Sequence, residues 1–418
     1  MQLTVDSGQL PVGWEIKKLS EVYDVRDGTH ESPKYLPEGY ALITSKNLKN
    51  SGLSFDNIKY ISEQDYKKIN ERSAVHKGDI LLAMIGTIGN PIVVDVEPEF
   101  AIKNVALIKV TQNQSSYFLK YYLETEYVQS KMQREAKGTT QKFVGLGYLR
   151  DFPIVIPPIS EQKRIVAILD EAFEGIDRAI ANTEKNLANS REVFESYLNA
   201  IFTQKGDGWE ERKLGGVCKV KDGTHFSPKN SEDGKYMYIT AKNIKPYYID
   251  LTKITFISEE DHQKIYSRCP VKKGDVLYIK DGATAGIAAI NNFEEEFSLL
   301  SSVAVFKTSS QILNTYLVHY ANSKLGRKNF LGYIDGAAIT RLTLTKLNNV
   351  FIPVPLLCEQ QKIVTKLDEL SVETQRLEAI YRQKIAALKE LKQSILQKAF
   401  TGELTADTPK TEKEEIAA

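Results

Sequence analysis

The chain repeats itself, and in order. Gly13-Trp14 returns as Gly208-Trp209, an offset of 195 residues, and Asp27-Gly28-Thr29-His30 returns at the same offset as Asp222-Gly223-Thr224-His225. The Ser-Pro-Lys strings ending at Lys34 and Lys229 keep that offset, and TSKN at 44–47 matches TAKN at 240–243 at 196. Ile61-Ser62-Glu63 matches Ile257-Ser258-Glu259, and Lys77-Gly78-Asp79 matches Lys273-Gly274-Asp275. Further on, Glu161-Gln162 and Leu169-Asp170-Glu171 match Glu359-Gln360 and Leu367-Asp368-Glu369 at 198. A slow drift of the offset marks small loop insertions between two copies of one unit, so the fold must be built twice.

Each copy has two parts. The first mixes short β-type runs (80–82, 105–108, 276–278), two of them entered through a Lys-Gly-Asp turn, with helical stretches at 117–133 and 314–330. That pattern predicts an α+β domain. The second part carries the period of a long helix. After Ile156-Pro157-Pro158, with Ser160 as the expected cap, Val166, Phe173, Ile180, Leu187 and Phe194 recur every seven residues, and Leu169 and Ile176 fill the second seam position. Thr183, Ser190 and Tyr197 continue that second position less strongly. In the other copy Leu367, Leu370, Thr374, Leu377, Tyr381, Lys384, Leu388, Leu391 and Ile395 step by three and four, with Lys384 as the one clear break. Both are coiled-coil seams.

The expected domains are therefore 1–155 and 205–352 for the two globular parts, 156–204 and 353–401 for the helices, and 402–418 for a polar, disordered tail. The expected architecture is two tandem α+β domains separated by two long helices in an antiparallel coiled coil, related by a pseudo-twofold axis. At 1.5 Å per residue such a rod is roughly 60 Å long.

Composition excludes several classes. With 42% hydrophobic and 26% charged residues, the chain is of ordinary globular type, and no apolar run approaches the length of a membrane span. The N-terminal residues lack a basic-then-apolar signal pattern, and three scattered cysteines without a CxxC or Cys/His cluster fit a reducing cytoplasm rather than a disulfide framework or zinc site. There is no phosphate-binding GxxxxGK[ST] loop and no Asn/Asp-Pro-Pro-Tyr/Phe methyltransferase motif. Asp151 with Glu161 and Lys163 superficially matches a nuclease metal motif, but the second copy carries Gln361 where the lysine should stand. No catalytic residue, metal or cofactor is expected.

The Gly-Trp openings, TSKN/TAKN, the Lys-Gly-Asp turns, the helix starts IPPISEQKRIV and VPLLCEQQKIV, and the closing LKQSILQKAFTGEL together resemble the specificity subunit of type I restriction–modification enzymes. The resemblance covers essentially the whole chain. It implies a non-catalytic subunit whose two target recognition domains each read one half of a bipartite, asymmetric site on double-stranded DNA. Its helices would act as spacer and as docking surface for methyltransferase subunits, two in number, to which restriction/translocase subunits add. The competing reading is a coiled-coil interaction scaffold with two ligand-binding modules and no DNA role.

A net charge of +1 does not announce DNA binding, so contacts must come from a one-sided arrangement of basic and polar loop groups. In the DGTH segments Thr29, His30, Thr224 and His225 offer side-chain hydrogen bonds, although a purely structural Asp-Gly turn explains the string equally well. Lys34 and Lys229, and the pairs Lys46-Asn47 and Lys242-Asn243, offer an ammonium for phosphate, the latter beside an amide able to pair with adenine. Thr140 and Lys142, and Thr340 and Arg341, join flexible turns to hydroxyl and basic groups shortly before each long helix. The Lys-Gly-Asp strings are read as strand-entry turns.

Overall fold

The computed structural model describes residues 10–406 except 50, 51, 87, 139–141, 231–233 and 333–341. The chain divides into two compact units, residues 10–183 with 383–406, and residues 184–382. Each carries one globular part and a portion of each long helix.

In the first unit a four-stranded antiparallel sheet runs in the order Asp24–Asp27, Val105–Lys109, Ile80–Ala83, Gly89–Val93. Its strands are apolar on both faces because both faces are covered. Ile80, Leu82, Ala106 and Ile108 face the helix Ser116–Leu123 and the long helices, while Leu81, Ala83, Val105 and Leu107 face Ile43, Phe100 and Ile102. The second face is closed by a three-stranded sheet in which Tyr40–Ile43 pairs antiparallel with Lys59–Ile61 and parallel with Phe100–Ile102. A separate ribbon pairs Glu15–Lys18 with Pro153–Ile156, so the opening of the unit is bonded to the strand that leads into the first long helix.

The second unit repeats this plan. Its four-stranded sheet runs Cys218–Asp222, Val303–Thr308, Val276–Ile279, Ala288–Ile290, and its three-stranded sheet joins Thr255–Ile257, Tyr236–Ile239 and Ser298–Leu299. Glu210–Lys213 pairs with Phe351–Val354 ahead of the second long helix.

The repeated strings acquire local reasons. Gly13 and Gly208 have φ of +83° and +82°, the left-handed region in which a side chain is strained, and each is followed by its tryptophan. Ile61 and Ile257 end strands in the core, and Ser62 and Ser258 cap the following helices by accepting the amides of Asp65 and Asp261 at 3.1 and 3.2 Å. Asp79 and Asp275, both buried, accept the amides of His76 and Lys272 at 2.8 Å, and each also pairs with a lysine of the neighbouring strand, Lys109 or Lys307. The helical stretches at 117–133 and 314–330 are each broken in two. Thr125 and Ser323 cap a new helix there, accepting the amides of Val128 and Gly326.

The long helices are Ile159–Gln204 and Leu357–Thr401. In the first unit Lys392 donates to both carboxylate oxygens of Asp177 at 2.9 Å, and Arg164 donates to the Thr405 carbonyl at 3.2 Å, so the two portions there run antiparallel. In the second unit Arg191 grips Glu378 through two hydrogen bonds of 2.9 and 3.0 Å. Val166, Leu169, Phe173, Ile176, Ile180, Leu388 and Ile395 belong to the first unit's core, and Phe194 and Leu367 to the second's. Leu187, Leu370, Leu377 and Tyr381 are half-buried.

Two seam positions need correction, and so do both ends of the helical region. Leu391 is 47% exposed; Lys392 takes the inward place, its ammonium lying over the Phe173 ring at 4.5 Å. Tyr197 is likewise exposed and Leu198 buried, while Ile385 is half-buried beside an exposed Lys384. A straight helix drifts about 20° per heptad from a strict seven-residue repeat, which is enough to move the inward position by one residue over several heptads. The first helix starts at Ile159, so Ser160 lies inside its first turn. Of the expected tail, residues 402–406 are described and structured, and residues 407–418 lie outside the described residues. Glu403–Ala406 forms a helical turn, and the buried Thr405 donates its hydroxyl to Glu161.

Candidate nucleic-acid interface

The Glu-Gln pair that opens each long helix fixes helix to domain. Gln162 is fully buried: its carbonyl oxygen accepts the Ser115 amide at 2.9 Å, and its amide donates to the Pro157 carbonyl and to Gln114 Oε1. Gln360, equally buried, accepts the Leu313 amide at 2.8 Å and donates to the Pro355 and Gln311 carbonyls. A buried amide whose donors and acceptor are matched on two elements fixes their relative position, since any slip leaves polar groups dry and unpaired. At the other end of each helix an aromatic side chain docks. Phe400 meets Phe118 and Tyr122 edge-on at 5.2 Å in the first unit, and Phe202 meets Tyr316 and Tyr320 at 5.6 and 5.2 Å in the second.

The DGTH segments close one edge of the four-stranded sheets. Thr29 and Thr224 form parallel bridges to Lys103 and Leu300. The backbone at Gly28 and Gly223 passes so close to the carbonyls of Ile102 and Leu299 that a Cβ would overlap them. Asp27 and Asp222 are buried and pair with Arg72 and Arg268 of the helix that follows the capping serine. His30 is exposed, with Nε2 2.9 Å from Asp27 Oδ2 and Nδ1 2.9 Å from Asn104 Oδ1. His225 is exposed too, but lies 3.6 Å from Asp222 and has no counterpart to the Asn104 contact among the described residues. In that domain Lys280, buried, comes within 3.6 Å of Asp222 and 3.1 Å of Asp281; the first domain has buried Met84 at the matching position. The structure thus uses Asp and Gly as framework and leaves the two histidines outward. Thr29 is half-buried, with its hydroxyl accepting the Glu31 amide, and Thr224 is buried, accepting the Phe226 amide.

The expected Lys-Asn pairs divide into two roles. Asn47 and Asn243 are not available to bases. Asn47 Oδ1 accepts the Thr44 amide and hydroxyl at 3.0 and 2.9 Å, and its Nδ2 donates to the Ser54 carbonyl at 3.1 Å. Asn243 does the same with Thr240 and Asp250. Burial consumes the amide that an adenine contact would need, so these two are corrected to framework residues. The adjacent Lys46 and Lys242 are exposed, as are Lys34, Lys229 and Lys142. Lys142 sits beside the loop after Ile80–Ala83, its carbonyl accepting the Gly86 amide. Thr140, Thr340 and Arg341 lie outside the described residues. The repeat also shares a second lysine, Lys49 in TSKN-Leu-Lys and Lys245 in TAKN-Ile-Lys.

No group of three or more His, Cys, Asp or Glu among the described residues could hold a metal ion, and no helix there is long and apolar enough to cross a membrane. Burial pushes the Cys218 and Cys269 thiols up to about 12 and about 11, so neither supplies a thiolate nucleophile at neutral pH.

A duplicated α+β domain, each copy fastened to the long helices and carrying exposed lysines on its loops, marks a two-module binding protein. The chain belongs to the family of type I restriction modification DNA specificity domains, whose model matches residues 11–188 and again 206–389. It is 23% identical to the type I restriction enzyme MjaIX specificity subunit of Methanocaldococcus jannaschii, over 96% of each chain. With the EcoKI specificity subunit of Escherichia coli it shares 22% identity, over 96% of this chain and 91% of that one. Its fold is similar to that of a chain solved in a study of assembly and conformational transition of the type I R-M system, with a TM-score of 0.74, 22% identity, and 94% and 99% of the two chains covered. The HsdS subunit from Thermoanaerobacter tengcongensis is also similar, with a TM-score of 0.53, 21% identity, and 94% and 98% covered. A scaffold reading without DNA finds no support in these likenesses.

Proposed function

We propose that this chain is the DNA-reading subunit of a type I restriction–modification complex, each unit reading one half of a bipartite, asymmetric site. The observation that carries the reading is the duplication itself. One framework (buried Asp, close-packed Gly, capped Lys-Asn hairpin) appears twice, while groups beside it differ: Met84 against Lys280, Asn104 against Ser301, Tyr66 against His262. Equal frameworks with unequal surroundings suit two half-sites of different sequence, because shared groups can position DNA and only unshared ones can discriminate bases.

The chain contributes recognition and leaves the chemistry to others. Two methyltransferase subunits dock on the long helices, and restriction/translocase subunits complete the assembly in the cytoplasm. Exposed DNA-facing candidates are His30, Lys34, Lys46, Lys142, His225, Lys229 and Lys242, with the half-buried Thr29 beside His30. Exchanging residues 14–155 for the matching domain of a relative tests the reading. Methylation mapping of a host carrying the hybrid should show one half-site changed and the other kept; both changed, or neither, contradicts it.

A further inference from the structure

Lys46 and Lys49 in the first unit, and Lys242 and Lys245 in the second, stand on a short hairpin: Leu48–Lys49 with Gly52–Leu53, and Ile244–Lys245 with Tyr248–Ile249. The hairpin is rigid at its base in both copies because the buried asparagine bonds its two sides, Thr44 to Ser54 and Thr240 to Asp250. It is also tied to the outer strand of the four-stranded sheet, by different means. Asn90 donates to the Leu48 carbonyl at 2.6 Å in the first unit, and the Tyr247 amide donates to the Ala288 carbonyl at 3.0 Å in the second. None of the four lysines makes an ion pair within 4 Å with a described residue, although Lys245 helps to lower the Asp250 pKa. In the first unit the pair lines a cleft of about 1180 Å³ together with the ion pairs Lys120–Glu124 and Lys392–Asp177.

The sequences after the second lysine differ, Asn-Ser-Gly at 50–52 against Pro-Tyr-Tyr at 246–248, yet both copies keep both lysines at the same spacing. A group common to two domains that read different half-sites carries no sequence information. We infer that these hairpins are matched phosphate clamps: Lys46 with Lys49, and Lys242 with Lys245, each hold the DNA backbone and set the register in which the remaining loops meet the bases. The inference rests on the DNA-reading function proposed above and assigns Lys49 and Lys245 to it. An ammonium that holds no close ion pair gives up none when it takes a phosphate, and each such contact releases condensed counter-ions.

The test uses the full chain in complex with its methyltransferase subunits. Affinity is measured against salt for DNA carrying the mapped site and for DNA lacking it, with K46Q/K49Q and K242Q/K245Q beside the unaltered protein. Each double variant should lower the slope of log K against log salt by about 1.8, equally on both DNAs, since each lost contact removes about 0.9. The methylated sequence should stay the same, and K46R/K49R should restore the slope and show that the fold is intact. An unchanged slope, or a changed methylated sequence, overturns the clamp. An unaltered complex without preference for any sequence overturns the functional reading instead, while the slope on plain DNA still decides whether the lysines hold phosphate.

Discussion

His319 Nε2 lies 3.2 Å from Asp368 Oδ1, joining the helix Asn314–Asn322 of the second recognition domain to the second long helix. The matching pair in the first unit is Tyr121 and Asp170, with the phenol donating to the carboxylate. The two junctions are built alike but titrate differently.

Burial lowers the His319 pKa below its ordinary 6.5, although Asp368 opposes the shift. A depressed folded-state value means that the unfolded chain binds the proton first, so stability falls as pH drops below about 6.5 and stops falling only below the depressed value. Burial and Asp170 raise the Tyr121 pKa, so the first junction is silent across this range. The melting temperature should therefore fall between pH 7.5 and 5.5 by less in H319Y than in the unaltered chain. An equal fall in both proteins would place the acid sensitivity elsewhere.

The buried glutamines offer a stability test. Gln360→Leu leaves the Leu313 amide and the Gln311 and Pro355 carbonyls without their partner, which should cost about 3 kcal/mol. Gln162→Leu should behave alike in the first unit. Urea unfolding of the full chain reads the loss, with the exposed Gln361→Leu as a control expected within about 0.5 kcal/mol of the unaltered protein.

Two glycines in one chain should answer differently to the same change. Gly28→Ala drives a methyl into the Ile102 carbonyl and should abolish soluble first-domain structure. Gly175→Ala, on the first long helix with nothing within 4 Å of the new methyl, should stabilise by up to about 1 kcal/mol through helix propensity. Expression and thermal melting of the two variants distinguish them.

A fragment of residues 1–206 loses the second helix, and with it Leu396, Ala399 and Phe400 from the core of the first unit. Its own helix ends in Leu198 and Phe202, the residues that fill the same role in the second unit. The apolar face left open should be covered by a second copy, giving a twofold dimer in sedimentation at micromolar concentration. A monomer under those conditions would show that the helix end is not interchangeable.

The repeat made the two-copy architecture legible before any coordinates, because an ordered series of short strings at a drifting offset has no other reading. Helix periodicity was legible for the same kind of reason: the seam at Leu169, Phe173 and Ile176 is written into spacing alone. Which of the repeated polar residues face outward was not. Asn47 looks as fit for a base as Lys46 does, and only the bonds to Thr44 and Ser54 turn its amide inward. Likewise Leu391 and Lys392 exchange places because helical drift and the Phe173 ring, not the local sequence, decide the inward face. Local order and duplication are properties of spacing along the chain. Exposure is settled by groups far apart in sequence that compete for the same few buried hydrogen bonds, and that competition exists only once the chain is folded.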